Sequence, residues 1–212
     1  MDQKSSTLNL PYDAIVFDLG NVLINYTFTR TFEKWADLTE YSFDFFQKNY
    51  KFDSVLYDFE IGKLSSMDYF TYLTEVLGIE WDFSIFKLGW NNIHLGIPNG
   101  ILPILEQLES KYPLYILSNT NALHASHWKI HFTQITRFFK QIFCSHEMKC
   151  HKPESKIYSK LLNQINCEPA RTLFFDDVPN NVIGAQNIGI DAYIVKNPSE
   201  IYQILIKKSI LS

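Results

Sequence analysis

Apolar residues in this chain follow two alternating patterns. Short unbroken runs occur at 14–17, 114–117, 142–144, 172–175 and 192–195. Most are rich in β-branched and aromatic side chains, and all are too short for helices, so they predict buried strands. Before and between the last four, apolar residues return every three or four positions. Ile101, Leu102, Ile104, Leu105 and Leu108 mark a helix over 99–110, and Ile157, Tyr158, Leu161, Leu162 and Ile165 mark another over 154–165. A third runs over 179–188. Pro98, Pro153 and Pro179 stand at their starts and Gly189 beyond the last, the usual asymmetry of helix ends. Strands alternating with helices predict an α/β fold: a Rossmann-like parallel sheet covered on both faces.

The segment after the first strand is different. From 27 to 95 the pattern holds no strand and reads as helices at about 28–38, 42–60, 65–77 and 82–93. Ser65-Ser66-Met67-Asp68 has the form of a helix start, and Gly78 of a stop. This stretch holds 18 of the 33 aromatic residues, so it needs a small core of its own. It is expected to be an inserted α-helical cap domain, 27–95, on an α/β core domain made of 1–26 and 96–212.

A length of 212 residues suits one α/β domain with an insertion. The net charge of −4, with no block of Lys or Arg, offers no footprint for nucleic acid or for an anionic membrane. No apolar run is long enough to span a bilayer. Residues 1–11 are polar apart from Leu8 and Leu10 and lack the apolar run of a secretory signal. Three cysteines, an odd number, fit a reducing compartment better than a disulfide framework. A cytoplasmic protein is expected, a monomer or small homo-oligomer, with no nucleic-acid or membrane partner.

Ligands of open parallel sheets bind beyond the carboxyl ends of the strands. Asp18 follows the first strand; Ser118, Asn119 and Thr120 follow the second. Lys152 lies in the loop after the third, and Asp176 and Asp177 follow the fourth. Three carboxylates, a lysine and a hydroxyl therefore meet at one edge. Carboxylates so crowded repel unless a cation sits among them. Oxygen-only ligands favour a hard ion such as Mg²⁺, which takes one or two carboxylates together with substrate phosphate.

In chain order, these positions lie in Phe17-Asp18-Leu19-Gly20-Asn21-Val22-Leu23, Leu117-Ser118-Asn119-Thr120, His151-Lys152-Pro153-Glu154 and Phe175-Asp176-Asp177-Val178-Pro179-Asn180-Asn181. With these four motifs the chain resembles, over essentially its whole length, the haloacid dehalogenase-like (HAD) hydrolase superfamily, in the subclass with a helical cap after the first motif. Asp18-Leu19-Gly20-Asn21-Val22, Leu88-Gly89-Trp90 and the stretch from Ser118 to His124 resemble its bacterial α-D-glucose-1-phosphate phosphatase branch. The resemblance implies a Mg²⁺-dependent phosphatase acting on a small-molecule phosphate ester, of the sugar-phosphate kind, through an aspartyl-phosphate. It implies that Asp18 is the nucleophile and that Mg²⁺ is held by Asp18, the Gly20 carbonyl and Asp177, with Asp176 acting directly or through water. Ser118 and the Asn119 amide would bind the phosphoryl oxygens, and Lys152 would pair with Asp18 and the phosphate.

One departure matters. Phosphatases of this superfamily usually carry a second Asp two residues after the nucleophile as general acid and base; here Gly20 stands there. A cap residue, or a water held by Asn21 or His124, could take that role. Two rival readings follow from Gly20: a metal-independent 2-haloacid dehalogenase, against which the paired acids Asp176-Asp177 speak, and a non-catalytic phosphate-ligand binding relative. Cys144, His146, Cys150 and His151 invite a zinc reading, but their spacing matches no finger or ribbon. Tyr26 and Trp90, near the junction of cap and core, are the aromatic candidates for substrate contact.

Overall fold

Strands covered on both faces should bury alternate residues in two separate cores, and the first strand does so. In the computed structural model, which describes residues 11–211, all four residues of β1 (Ala14–Phe17) are buried. Ile15 and Phe17 join one hydrophobic cluster, Ala14 and Val16 another. The remaining sheet strands are β4 (Leu114–Ser118), β5 (Gln141–Cys144), β6 (Thr172–Asp176) and β7 (Asp191–Ile194). They pair in the order β5-β4-β1-β6-β7, every pair parallel. The reading of residues 1–10 as lacking a secretory signal lies outside the described residues.

Between β1 and β4 the chain forms β2 (Asn25–Tyr26), five helices, β3 (His94–Gly96) and α6 (Ile101–Glu109). The five are α1 (Phe28–Leu38), α2 (Phe43–Asn49), α3 (Ser54–Glu60), α4 (Ser66–Leu77) and α5 (Phe83–Asn91). They surround an aromatic cluster that includes Trp35, Phe46, Phe59, Tyr69, Phe86 and Trp90, joined by Leu123 from a later helix. Where 42–60 reads as one helix, the structure has two. Asp53 stops the run by accepting hydrogen bonds from the backbone N–H groups of Val55 and Leu56, which starts α3. The expectation of no strand in 27–95 also needs correcting. His94 and Leu95 lie in β3, which pairs antiparallel with β2 and joins the two crossings of the chain.

After β4 come α7 (Ala122–His131) and α8 (Thr133–Thr136); α9 (Ser145–Met148) and α10 (Ser155–Ile165) follow β5; α11 (Pro179–Gln186) follows β6; α12 (Pro198–Lys207) follows β7. Ile101, Leu105, Trp128, Ile201 and Leu205 cover one face of the sheet. Ile157, Tyr158, Leu161, Val182 and Ala185 cover the other. Among the described residues no helix is long and apolar enough to cross a membrane.

The register places the functional ends side by side. Phe17 is level with Ile116 of β4 and with Phe175 of β6. Asp18, one residue on, is therefore abreast of Leu117 and Asp176, and its N–H donates to the Phe175 carbonyl at 2.8 Å.

Candidate active site

Asp18, Ser118 and Asp176 reach the same edge because their strands run parallel in matching register. Lys152 comes from the loop between α9 and α10. It is 1% exposed, and its Nζ lies 2.6 Å from Asp18 Oδ1 and 2.6 Å from Asp176 Oδ2. A buried ammonium is costly unless it is paired, and here two carboxylates pair it. Their charge holds Lys152 above its ordinary pKa despite burial.

Asp176 is the most completely bonded carboxylate. Besides Lys152 it accepts from the Val178 N–H at 2.9 Å and from Asn181 Nδ2, at 3.0 and 3.1 Å to its two oxygens. Asp18 and Asp177 are less bonded. Asp177 Oδ2 meets Asn21 Nδ2 at 3.3 Å. Single ligand oxygens of Asp18, Asp176 and Asp177 lie within 4.8 Å of one another. Burial pushes the Asp18 carboxyl up to about 7, with Lys152 opposing and Asp176 and Asp177 adding to the rise. Asp177 is raised too, first by burial and then by Asp176. Three carboxylates gather around one lysine that pairs only two of them, and all donors are oxygen. That set fits a hard dication such as Mg²⁺.

Beside this cluster lies a cavity of about 240 Å³, lined by Asp18, Gly20, Ser118, Asn119, Lys152 and Asp177 and, from the neighbouring segments, Tyr26, Glu60 and His151. Its size suits a small molecule. The Asn119 side chain braces Lys152: Oδ1 accepts from the Lys152 N–H at 2.8 Å, and Nδ2 donates to the Lys152 carbonyl at 3.0 Å. Ser118 is buried at the cavity wall.

Other residues singled out from sequence fare differently. Trp90 is fully buried, stacks on His124 with centroids 4.8 Å apart, and donates to Asn121 Oδ1; it is core, not a substrate platform. That bond fixes the Asn121 amide, so Nδ2 donates to His124 Nδ1, and His124 Nε2 donates to the Trp90 carbonyl at 2.9 Å. Both ring nitrogens are used, and burial lowers the His124 pKa to about 3; His124 has no nitrogen left to hold a water. Asn21 Nδ2 donates to Asp177 Oδ2 at 3.3 Å, and its Oδ1 accepts from the Tyr26 N–H. The proposed zinc ligands do not gather. Cys144 is in the sheet core, Cys150 donates to the Met148 carbonyl, and His146 donates to the Thr120 carbonyl. Tyr26 does line the cavity, and its ring lies over Gly20. Asn181, inside the fourth motif, was visible as a residue but not as the ligand that orients Asp176. Glu60 carries no signal in the sequence that points to the site.

A model of the haloacid dehalogenase-like hydrolase family matches residues 12–189. D-ribitol-5-phosphate phosphatase of Bacteroides thetaiotaomicron is 22% identical over 191 residues, 88% of this chain and 93% of that protein. Glyceraldehyde 3-phosphate phosphatase of Methanothermobacter thermautotrophicus is 26% identical over 102 residues, 47% of this chain and 44% of that protein. A HAD family enzyme from Bacteroides thetaiotaomicron, solved with magnesium and inorganic phosphate, superposes with a TM-score of 0.80 at 27% identity, covering 90% of this chain and 98% of its own.

Proposed function

The chain belongs to the haloacid dehalogenase-like hydrolases, and we propose that it is a magnesium-dependent phosphatase of small sugar or polyol phosphates with Asp18 as its nucleophile. The observation that carries this reading is the buried set of Asp18, Lys152, Asp176 and Asp177 beside a small cavity. The names of the relatives support the substrate class.

A carboxylate oxygen of Asp18 attacks phosphorus, the bond to the ester oxygen breaks, and the phosphoryl group is held as an aspartyl-phosphate until water displaces it. Lys152, pinned by Asp176 and the Asn119 clasp, keeps Asp18 in place and meets the charge of the phosphoryl oxygens. Ser118 and the backbone N–H of Asn119 bind the same oxygens. Asp18, the Gly20 carbonyl and Asp177 would hold magnesium, with Asp176 directly or through water. Once bound, the ion offsets the repulsion between phosphate and carboxylates. Asp176, Asn181 and Asn21 orient this set.

The same reading makes 27–95 a cap on a core of 1–26 and 96–212, hinged at about 22–27 and 94–98, that closes over the cavity and excludes water. The free cysteines, two of them buried, suit a reducing cytoplasm.

The test is a phosphate-release screen with magnesium over small phosphate esters. Release from sugar or polyol phosphates that stops with EDTA and in Asp18→Asn is the expected result. Release indifferent to both changes overturns the reading. Halide release from 2-haloacids in EDTA would favour the dehalogenase alternative, and ligand-induced stabilisation without turnover the non-catalytic one.

A further inference from the structure

Gly20 leaves the reaction without a proton donor for the departing alkoxide, and the structure shows why no side chain stands there. A Cβ at position 20 would lie 2.5 Å from Cε1 of Tyr26. The donor must come from elsewhere on the cavity wall. His124 has both nitrogens engaged. His94 is lowered by burial to about 4 and bonds the Asn91 carbonyl. The Tyr26 phenol is raised to about 12 by burial and the nearby carboxylates. Asn21 is tied to Asp177. Among the titratable groups lining the cavity outside the Asp18–Lys152–Asp177 cluster, Glu60 and His151 remain.

These two are bonded to each other: His151 Nε2 lies 2.9 Å from Glu60 Oε2. The Asn119 amide is fixed by its two bonds to the Lys152 backbone, so the group facing His151 Nδ1 at 3.0 Å is the donor Nδ2. Nδ1 therefore accepts, the ring proton is on Nε2, and His151 donates to Glu60 Oε2. Oε1 of Glu60 makes no hydrogen bond with the described residues. Glu60 ends α3, and its place is set by contact with the α9 region. Ser145 Oγ donates to the Glu60 carbonyl at 2.6 Å, Lys149 Nζ donates to the Gly62 carbonyl at 2.8 Å, and Tyr57 donates to Glu154.

We propose that Glu60 is the acid–base residue that serves in place of a side chain at position 20, and that His151 is its positioning residue. The inference rests on the phosphatase reading above. In the first step Glu60, in its acid form, gives a proton from Oε1, the oxygen not taken by His151, to the ester oxygen as the P–O bond breaks, so the alcohol leaves neutral. In the second, the Glu60 carboxylate takes a proton from water as the water oxygen attacks phosphorus. The bond from phosphorus to Asp18 breaks, phosphate departs, and Glu60 is protonated again. The acid–base group is thus present only while the helical segment is seated on the core, which ties turnover to closure.

The test uses Glu60→Gln, which keeps an acceptor for His151 but moves no proton, with two substrates. An alkyl phosphate such as ribitol 5-phosphate needs its leaving group protonated; p-nitrophenyl phosphate does not. Glu60→Gln is expected to lower kcat for the alkyl ester about 10²–10⁴-fold. With p-nitrophenyl phosphate the first step proceeds, and the variant accumulates a protein species heavier by one phosphoryl group, read by intact mass. His151→Asn is expected to show the same split between substrates, less strongly. Full alkyl-ester turnover in Glu60→Gln overturns the inference and leaves the phosphatase reading intact. So does an equal loss on both esters with no phosphorylated protein. Wild-type protein without Asp18-dependent release from either ester overturns both.

Discussion

At position 20 the neighbour decides which residue fits. The Tyr26 ring occupies the space a Cβ would need, so Gly20→Asp should not install a working acid. It is expected to cost about 1–3 kcal/mol through overpacking, and pairing it with Tyr26→Ala should restore the melting temperature. A single variant as stable as wild type would show that the ring moves aside freely. Asp18 sets a pH dependence. In the folded protein it holds its proton up to about 7, against an ordinary 3.8. Between those values the folded state binds more protons than the unfolded one, so this group's contribution to stability is lost as pH rises through that window. Melts of metal-free protein should fall from about pH 4 to about 7, and Asp18→Asn should flatten the profile. An identical slope in the variant would place the effect elsewhere. Asp18, Ser118, Lys152, Asp176 and Asp177 were all legible in the sequence because each directly follows a readable strand or sits in a short motif. Asn181 was seen without its task, since the bond to Asp176 depends on how the first turn of α11 faces the strand end.

The turn between α3 and α4 offers a contrast at the scale of elements. Gly62 has φ +66°, and a Cβ there would lie 2.5 Å from the His146 carbonyl oxygen. Three residues on, Ser65 caps α4 in a capping box with Asp68 on the exposed side. Ser65→Ala should cost about 0.5–2 kcal/mol and leave kcat unchanged. Gly62→Ala should cost a similar amount and also lower kcat, because it lifts Glu60 off its seat at Ser145. Melting curves and steady-state rates on both variants check this, and equal rates would argue that the turn does not position the site. The start of α4 and its stop at Gly78 were readable because both use side-chain or glycine signals local in the chain. The break between α2 and α3 was not, because Asp53 sits among aromatic residues whose spacing continues across it. The β2–β3 pair was hidden as well: two- and three-residue strands are too short to show alternation.

For the whole molecule, the repulsion built into the carboxylate cluster makes magnesium a stabiliser as well as a cofactor. At about a hundredfold excess over Kd, binding to the folded state alone is worth about 2.7 kcal/mol, or about 5–10 °C in a protein of this size. Asp177→Asn should lose most of that shift in thermal melts; an unshifted wild type would mean that the three carboxylates are not a metal site. The sequence by itself determined the parallel sheet, the edge where Asp18, Lys152, Asp176 and Asp177 gather, and the oxygen-rich donor set. Strand and helix periodicities are local, and parallel strands carry the residues after them to one edge whatever the detail of packing. Tertiary structure alone decided which residues from the helical segment reach that edge. Glu60 and His151 are 91 positions apart, and their meeting depends on how α3 seats on the loop beyond β5. It also decided the meaning of Gly20, because the ring that fills its space is six residues away in the chain and is brought over it only by the turn into β2 and the pairing with β3.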